Sequence, residues 1–227
     1  MYDLFFVSYE EPNADDNWKT LKDRFPHAKR VHGIKGIGNA HRFCAINAFT
    51  SMFWTVDGDT VVSDQWDFRY IPPSWDGDYL HLWYSRNPVN DLAYGYGSIK
   101  LWPRKRVLEH TGSWLDFTTS VAGIKVIDQV IATTMFNTSE FESWKSAFRE
   151  CVKLCVNIRS VPDDIESRIR LETWMMVSTN ANFASWCNAG AKDAIRWVDS
   201  SPSDLSVIND FSWLRNKFKE LHSSISV

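Results

Sequence analysis

Met52-Phe53-Trp54-Thr55-Val56, running straight into Asp57-Gly58-Asp59, is the stretch on which the fold turns. Five apolar or β-branched residues, too few for a helix and closed by a turn dipeptide, read as a strand buried on both faces, the kind found inside a parallel sheet. Upstream, residues 3–8 (DLFFVS) form a second such run ending in the polar loop YEEPNADD. A helix follows with Trp18, Leu21 and Phe25 on one face, and Pro26 marks its exit. A short strand around Ala28-Lys29-Arg30-Val31, the glycines of Gly33-Ile34-Lys35-Gly36-Ile37-Gly38 and an apolar helix from about Asn39 to Phe49 complete the approach. This β-α-β-α-β order predicts an α/β fold with a mostly parallel, nucleotide-binding type of sheet.

Downstream the pattern changes. From Val61 to Lys125 it predicts short strands, such as YLHLWYS and GSIKLW, between Pro, Gly and Asn turns. The remainder reads as helical: Ser139 and Glu142 form a capping box before Phe141, Trp144, Phe148, Val152 and Cys155. Pro162 precedes a helix carrying Ile165, Ile169 and Trp174, and two more helices follow near 183–198 and 204–221. The expected organisation is one domain: a nucleotide-binding half over 1–60, acceptor-side strands and loops over 61–130, and a helical part over 131–227.

The 227 residues are 44% hydrophobic and 23% charged, with 12 Trp, 14 Phe and 7 Tyr, which excludes disordered, collagenous and coiled-coil classes and supplies a large core. A net charge of −3 shows no global basic bias, so a nucleic-acid partner would need a local patch. Cys44, Cys151, Cys155 and Cys187 contain no CxxC pair and no zinc-like spacing, which predicts buried thiols in a reducing compartment. The start, MYDLFFVSYEEP, lacks a basic region and a cleavage site and is too short to span a bilayer, so a cytoplasmic location without membrane partners is expected.

Four groups of residues carry candidate chemistry. Asp57 and Asp59 are spaced to share one hard divalent cation, Mg²⁺ or Mn²⁺; the competing reading is an Asp-Gly hairpin turn between MFWTV and TVV. The Gly33–Gly38 turn, with Lys35 and the following helix start, can offer N–H groups to a diphosphate, although its G-x-x-G-x-G order is neither the dinucleotide fingerprint nor a Walker loop. His41 in that segment reads as a hydrogen-bonded, partly buried histidine ahead of a metal ligand. Trp102-Pro103-Arg104-Lys105-Arg106, after Tyr94 and Tyr96, combines basic and aromatic side chains suited to phosphate contact and base stacking. Lys145, Arg149 and Lys153 form a basic stripe opposite their helix's apolar face, with a solvated face as the alternative. Asp116, among apolar and hydroxyl residues, is either a general base or a structural acid.

The order SYEEP (8–12), RVHGIKGIGNAH (30–41) and VDGD (56–59) resembles the nucleotide-sugar half of GT-A glycosyltransferases. SRNPVNDLAYGYGSIKLWPR (85–104), LDFTTS (115–120), FNTSEFESWKSAFRECVKL (136–154) and the stretch from RLETW to NAGAKDA (170–194) resemble the TET-associated glycosyltransferase family of tailed bacteriophages, over about residues 3–197. Members attach sugars to hydroxymethylated pyrimidines in DNA, arabinosyltransferases acting on 5-hydroxymethylcytosine among them. The resemblance implies a GT-A fold, a divalent cation and a UDP-sugar donor (UDP-arabinose favoured), double-stranded DNA containing 5-hydroxymethylcytosine as acceptor, and the bacterial host cytoplasm as location. It implies Asp57 and Asp59 on the metal, with Gly58 between them at the diphosphate. Ser8, Tyr9, Glu10, Arg30, Val31 and His32 would lie near the nucleoside, and Lys35, Asn39 and His41 near the diphosphate and donor sugar. Tyr94, Tyr96, Lys100, Trp102, Arg104, Lys105, Arg106 and the 145/149/153 stripe would face acceptor and DNA. Asp116 is the candidate base if the reaction inverts; if it retains, a leaving phosphate oxygen takes the proton and Asp116 orients substrate. A second-step transferase acting on an already glycosylated base, a metal-dependent nucleotidyltransferase and a non-catalytic DNA-binding module are the alternatives.

Overall fold

A computed structural model of the chain describes residues 1–95, 98–111, 117–161, 163–177 and 180–223. They form two compact units, Met1–Asn87 with Ala93–Met135, and Pro88–Leu92 with Phe136–Val227.

The first unit is α/β. Its strands are β1 (Asp3–Ser8), β2 (Lys29–His32), β3 (Met52–Asp57), β4 (Thr60–Val62), β5 (Leu80–Arg86), β6 (Ala93–Tyr94), β7 (Ile99–Pro103) and β8 (Ile124–Thr134); its helices are α1 (Ala14–Arg24), α2 (Ile37–Asn47), α3 (Arg104–Glu109) and α4 (Phe117–Ser120). Among the described residues the strands make one sheet in the order β2-β1-β3-β7-β5-β8-β4, with β6 on β5. β2, β1 and β3 run parallel, as do β5 and β8, while β7 lies antiparallel between β3 and β5.

The alternation of side chains sorts the core into two layers. Leu4, Phe6, Met52, Trp54 and Val56 share a cluster with Leu21 of α1, and Phe5, Val7 and Phe53 share the other with Ala40, Cys44 and Ala45 of α2. Both faces of β1 and β3 are therefore covered, which is why each reads as an unbroken apolar run. α1 ends in Lys22 and Arg24, which suit its negative carbonyl end. Arg24 also donates to the carbonyls of Val62, Ser63 and Trp66, fixing the chain after β4.

β8 is a strand that the sequence reading left out. Its register against β5 shifts between Trp83 and Tyr84 and again between Tyr84 and Ser85. Ile124 packs in the α2 layer and Ile127 in the α1 layer. The second shift lets the adjacent Ile131 and Ala132 both join the α1 layer while Val126 and Val130 stay exposed, so the strand shows no clean period of two.

The second unit is helical: α5 (Glu140–Ser160), α6 (Ile165–Met175), α7 (Ala184–Asp199) and α8 (Phe211–His222). Ser139 caps α5 by accepting from the Glu142 amide, one half of the expected capping box; the Glu142 carboxylate turns instead to Lys145. α5 buries Trp144, Phe148, Cys151 and Val152. Asp193 of α7, itself buried, accepts from Trp144 Nε1 at 2.9 Å and pairs with His222 at 2.8 Å, tying α5, α7 and α8 together. On α6 the inward face carries Ser167 and Trp174, with Arg170 bonded to Glu150, while Ile165 and Ile169 are 68% and 56% exposed. All four cysteines are buried with free thiols. No helix among the described residues is long and apolar enough to cross a membrane.

Candidate active site at the carboxyl ends of β1, β2 and β3

The three parallel strands end flush, with Ser8 paired to His32 and Val7 to Asp57. β2 and β3 lie on opposite sides of β1, which makes this edge a topological switch point, the place where open α/β sheets bind ligands.

Asp57-Gly58-Asp59 is not a hairpin. β3 pairs with β1 and β7, whereas β4 pairs with β8, so the two strands flanking the turn are not ladder partners. The loop is pinned from three sides: the Asp57 amide donates to Ser98 O at 2.9 Å, Asn17 Nδ2 to Gly58 O at 2.9 Å, and the Met135 amide to Asp59 O at 2.6 Å. Gly58 is needed for space. A Cβ there would lie 2.7 Å from Glu11 Oε2 and 2.9 Å from Ser8 Cβ.

Asp57 points to the α2 side of the sheet, where Lys100 of β7 donates to both its oxygens at 3.1 and 2.9 Å. The Lys100 side chain is 4% exposed and that of Asp57 29%. Burial pushes the Asp57 carboxyl up, and the Lys100 charge and hydrogen bonds offset that rise only in part. Asp59 is half-buried. The donor set is hard carboxylate oxygen, which fits Mg²⁺ or Mn²⁺ when phosphate oxygens and water complete the shell. No three His, Cys, Asp or Glu side chains among the described residues converge to hold a metal unaided.

At the ends of β1 and β2, Arg30 Nε donates to Ser8 Oγ at 3.2 Å and Ser8 Oγ lies 2.9 Å from His32 Nδ1. Arg30 also pairs with Asp15 at 2.7 Å. Ser8 and Val31 are buried, Tyr9 and Arg30 half-buried, Glu10 and His32 exposed. In the turn before α2, Gly33 and Gly36 hold φ of 76° and 89°, conformations that favour glycine. Lys35 is exposed, and Asn39 is exposed with Nδ2 folded back onto the Lys35 carbonyl at 3.0 Å.

Several expected roles are corrected by burial. His41 is fully buried, with Nδ1 2.8 Å from Ile37 O and its ring against Trp102 and Phe117; burial first, then the Lys100 charge, pushes its pKa down to about 3, so it is a neutral core group and no phosphate-binding cation. Trp102 is wholly buried with Nε1 donating to Thr55 at 2.9 Å, and Tyr94 is buried, so neither is placed to stack on a base. Lys100 serves Asp57 and is no acceptor contact. Arg104 donates to Ala45 O at 2.8 Å, bracing α3 against α2, while Lys105 and Arg106 are exposed, the latter 3.0 Å from Asp78. The 145/149/153 stripe is a packing seam: Lys145 is buried over the Phe141 and Phe211 rings, Arg149 donates to Ile208 O and Asn209, and Lys153 sits 3.6 Å from Glu150. Tyr96 and Asp116 lie outside the described residues.

Glu11 and Asn17 went unread. Glu11 accepts from the Tyr9 amide at 2.7 Å and abuts Gly58. Its signal was a second acid directly after Glu10 at the mouth of a strand.

No protein-family model matches the sequence, and no curated protein matches it. Among solved structures, the chain is similar to a glycosyltransferase involved in glycosylation of the major capsid of PBCV-1 (12% identity, TM-score 0.40, 60% of this chain and 94% of that one). It is also similar to HddC from Yersinia pseudotuberculosis (13%, 0.39, 59% and 91%). A third is the mannosyltransferase PcManGT from Pyrobaculum calidifontis in complex with GDP-Man and Mn²⁺ (8%, 0.39, 97% and 80%). At such identities and scores these likenesses carry no functional argument, which rests on the site itself.

Proposed function

We propose that this chain is a glycosyltransferase of the GT-A type that moves a sugar, arabinose favoured, from a UDP-sugar to the hydroxyl of 5-hydroxymethylcytosine in double-stranded DNA. One observation carries the reading: the acidic loop sits at the switch point of the β2-β1-β3 sheet and is held there as a built loop between strands that do not pair. Beside it, the turn after Gly33, whose own N–H is spent on Ser8 O, and the start of α2, which has no side-chain cap among the described residues, offer backbone N–H groups, and Lys35 an exposed positive charge, to a diphosphate. A Mn²⁺ or Mg²⁺ ion bound with the donor supplies Lewis-acid stabilisation of the leaving diphosphate.

The chain's own residues do the rest. Asp57 and Asp59 bring negative charge to the cation side of the diphosphate. Ser8, Arg30 and His32 form the hydrogen-bonded floor for the nucleoside. The acceptor is a primary hydroxyl that needs a proton acceptor, and Asp116 is assigned that part in an inverting reaction. Reaching a base in duplex DNA requires extruding it onto a stacking partner, a role that falls to Tyr96, with Lys105 and Arg106 on phosphates.

The test incubates the full chain with Mn²⁺, duplex DNA containing 5-hydroxymethylcytosine, and UDP-arabinose or UDP-glucose in separate reactions. The DNA is digested and its nucleosides weighed by mass spectrometry. A pentose increment on the modified nucleoside, lost in Asp59→Asn, is expected. Addition only to DNA that already carries a sugar would make this a second-step enzyme. Silence on both substrates refutes the transferase reading in favour of a DNA-binding module.

A further inference from the structure

The hydrogen bonds at the ends of β1 and β2 can be followed proton by proton. A guanidinium only donates, and Arg30, held from its other side by Asp15 at 2.7 Å, gives its Nε–H to Ser8 Oγ at 3.2 Å. Ser8 is 3% exposed, and its hydroxyl hydrogen has one acceptor among the described residues, His32 Nδ1 at 2.9 Å. The reverse direction would aim two N–H groups at the hydroxyl and leave its own buried hydrogen without an acceptor. Nδ1 of the neutral ring is therefore the acceptor, and Nε2 carries the hydrogen. His32 is exposed, so the N–H on the far side of its ring faces solvent. The ring closes the β2 end of the site, two strand spacings or about 10 Å from Asp57.

We propose that His32 reads the base of the donor nucleotide as a fixed hydrogen-bond donor, and that Ser8 is the positioning residue that sets its tautomer. The site then takes a base with a carbonyl on the edge remote from the ribose and rejects one with an amino group there. Uracil carries the carbonyl and cytosine the amino group. An N–H facing an amino group sets two donors against each other, with no bond between them. Escape through the other tautomer is closed, because it would strand the Ser8 hydrogen in the protein. This inference deepens the transferase reading and rests on it for the presence of a nucleotide, though not for the Arg30–Ser8–His32 relay itself.

The experiment is a calorimetric titration of the full-length protein with UDP and with CDP, in Mn²⁺ at about pH 8, where imidazoles are neutral. Wild type, Ser8→Ala and His32→Phe are compared, with thermal unfolding of each. His32 is exposed, so His32→Phe keeps the test alive should Ser8→Ala fail to fold. Nuclear magnetic resonance of isotope-labelled histidine rings reads the tautomer directly, and the signal missing from His32→Phe assigns it. Wild type should show His32 protonated at Nε2 and bind UDP about tenfold or more tighter than CDP, a preference that falls to within about threefold in both variants. A merely structural Ser8 would lower the melting temperature and leave the UDP-to-CDP ratio of wild type, which overturns its positioning role. Equal affinities for the two nucleotides in wild type, or His32 protonated at Nδ1, overturn the assignment and leave the transferase reading in place. Binding of neither nucleotide refutes the transferase reading and base reading with it.

Discussion

His41 gives the sharpest check on how the α2 layer is built. Its ring is fully buried, 4.7 Å from Trp102 and 5.6 Å from Phe117 between centroids, and Nδ1 faces the Ile37 carbonyl at 2.8 Å. A nitrogen facing a carbonyl carries the proton, so Nε2 is the bare one, and it is buried with no hydrogen-bond partner among the described residues. Burial, reinforced by Lys100 and opposed only by Ile37 O, moves the pKa from 6.5 down to about 3. The sign follows from proton uptake. Below pH 6.5 the unfolded chain binds a proton at this ring and the folded chain does not, so the stability present above 6.5 is lost as the pH falls toward 3. At about 1.4 kcal/mol per pH unit, the loss between pH 7 and pH 5 comes to roughly 2 kcal/mol. Urea unfolding of wild type and His41→Leu across that range isolates it, because other titrating groups act on both proteins. Wild type should lose about 2 kcal/mol more than the variant. Parallel pH dependences would mean that the folded ring takes up a proton freely, which would refute its burial and reopen a part for it at the diphosphate.

Four further outcomes follow from geometry. Gly58→Ala drives a methyl into Ser8 and Glu11, so transfer should fall by about tenfold or more with under about 2 kcal/mol of lost stability, read from steady-state kinetics beside thermal melts. Gly190→Ala, ordinarily favourable in a helix, should cost about 1–3 kcal/mol in urea because its methyl meets the Trp144 carbonyl and the Phe148 amide across the α5–α7 contact. Thr55→Val strands the Trp102 indole N–H in the core and should cost about 1–3 kcal/mol by the same assay. Burial would raise the Asp3 carboxyl, but Lys29, the Phe49 and Thr50 amides and the Thr50 hydroxyl outweigh it and hold it at about 2. Its contribution, at most about 2 kcal/mol, is complete above pH 4 and lost as the pH falls toward 2, a loss that acid titration of Asp3→Asn should lack.

What could be read from the sequence was what local physics decides. β1 and β3 are buried on both faces, so their apolar runs need no knowledge of their neighbours, and Pro26 and the two turn glycines punctuate the chain by sterics alone. The misreadings share one cause, dependence on a partner distant in the chain. β8 lacks a clean alternation because its residues serve both core layers and its register against β5, some forty residues earlier, shifts twice. The Lys145, Arg149 and Lys153 stripe has the periodicity of a solvated face, and only the loop after α7 and the start of α8 turn it into a seam. The acidic loop is the instructive case. Whether Asp57-Gly58-Asp59 is a hairpin turn or a ligand loop cannot be decided within its own residues, because Asp-Gly satisfies both. The decision belongs to β7 and β8, which take β3 and β4 as separate partners, and the same antiparallel placement of β7 brings Lys100, 43 residues away in sequence, under Asp57. The pairing that makes the loop a candidate site thus also sets a cation against Asp57. A D-x-D motif therefore reads as an ion site only once the cations beneath its strands are known.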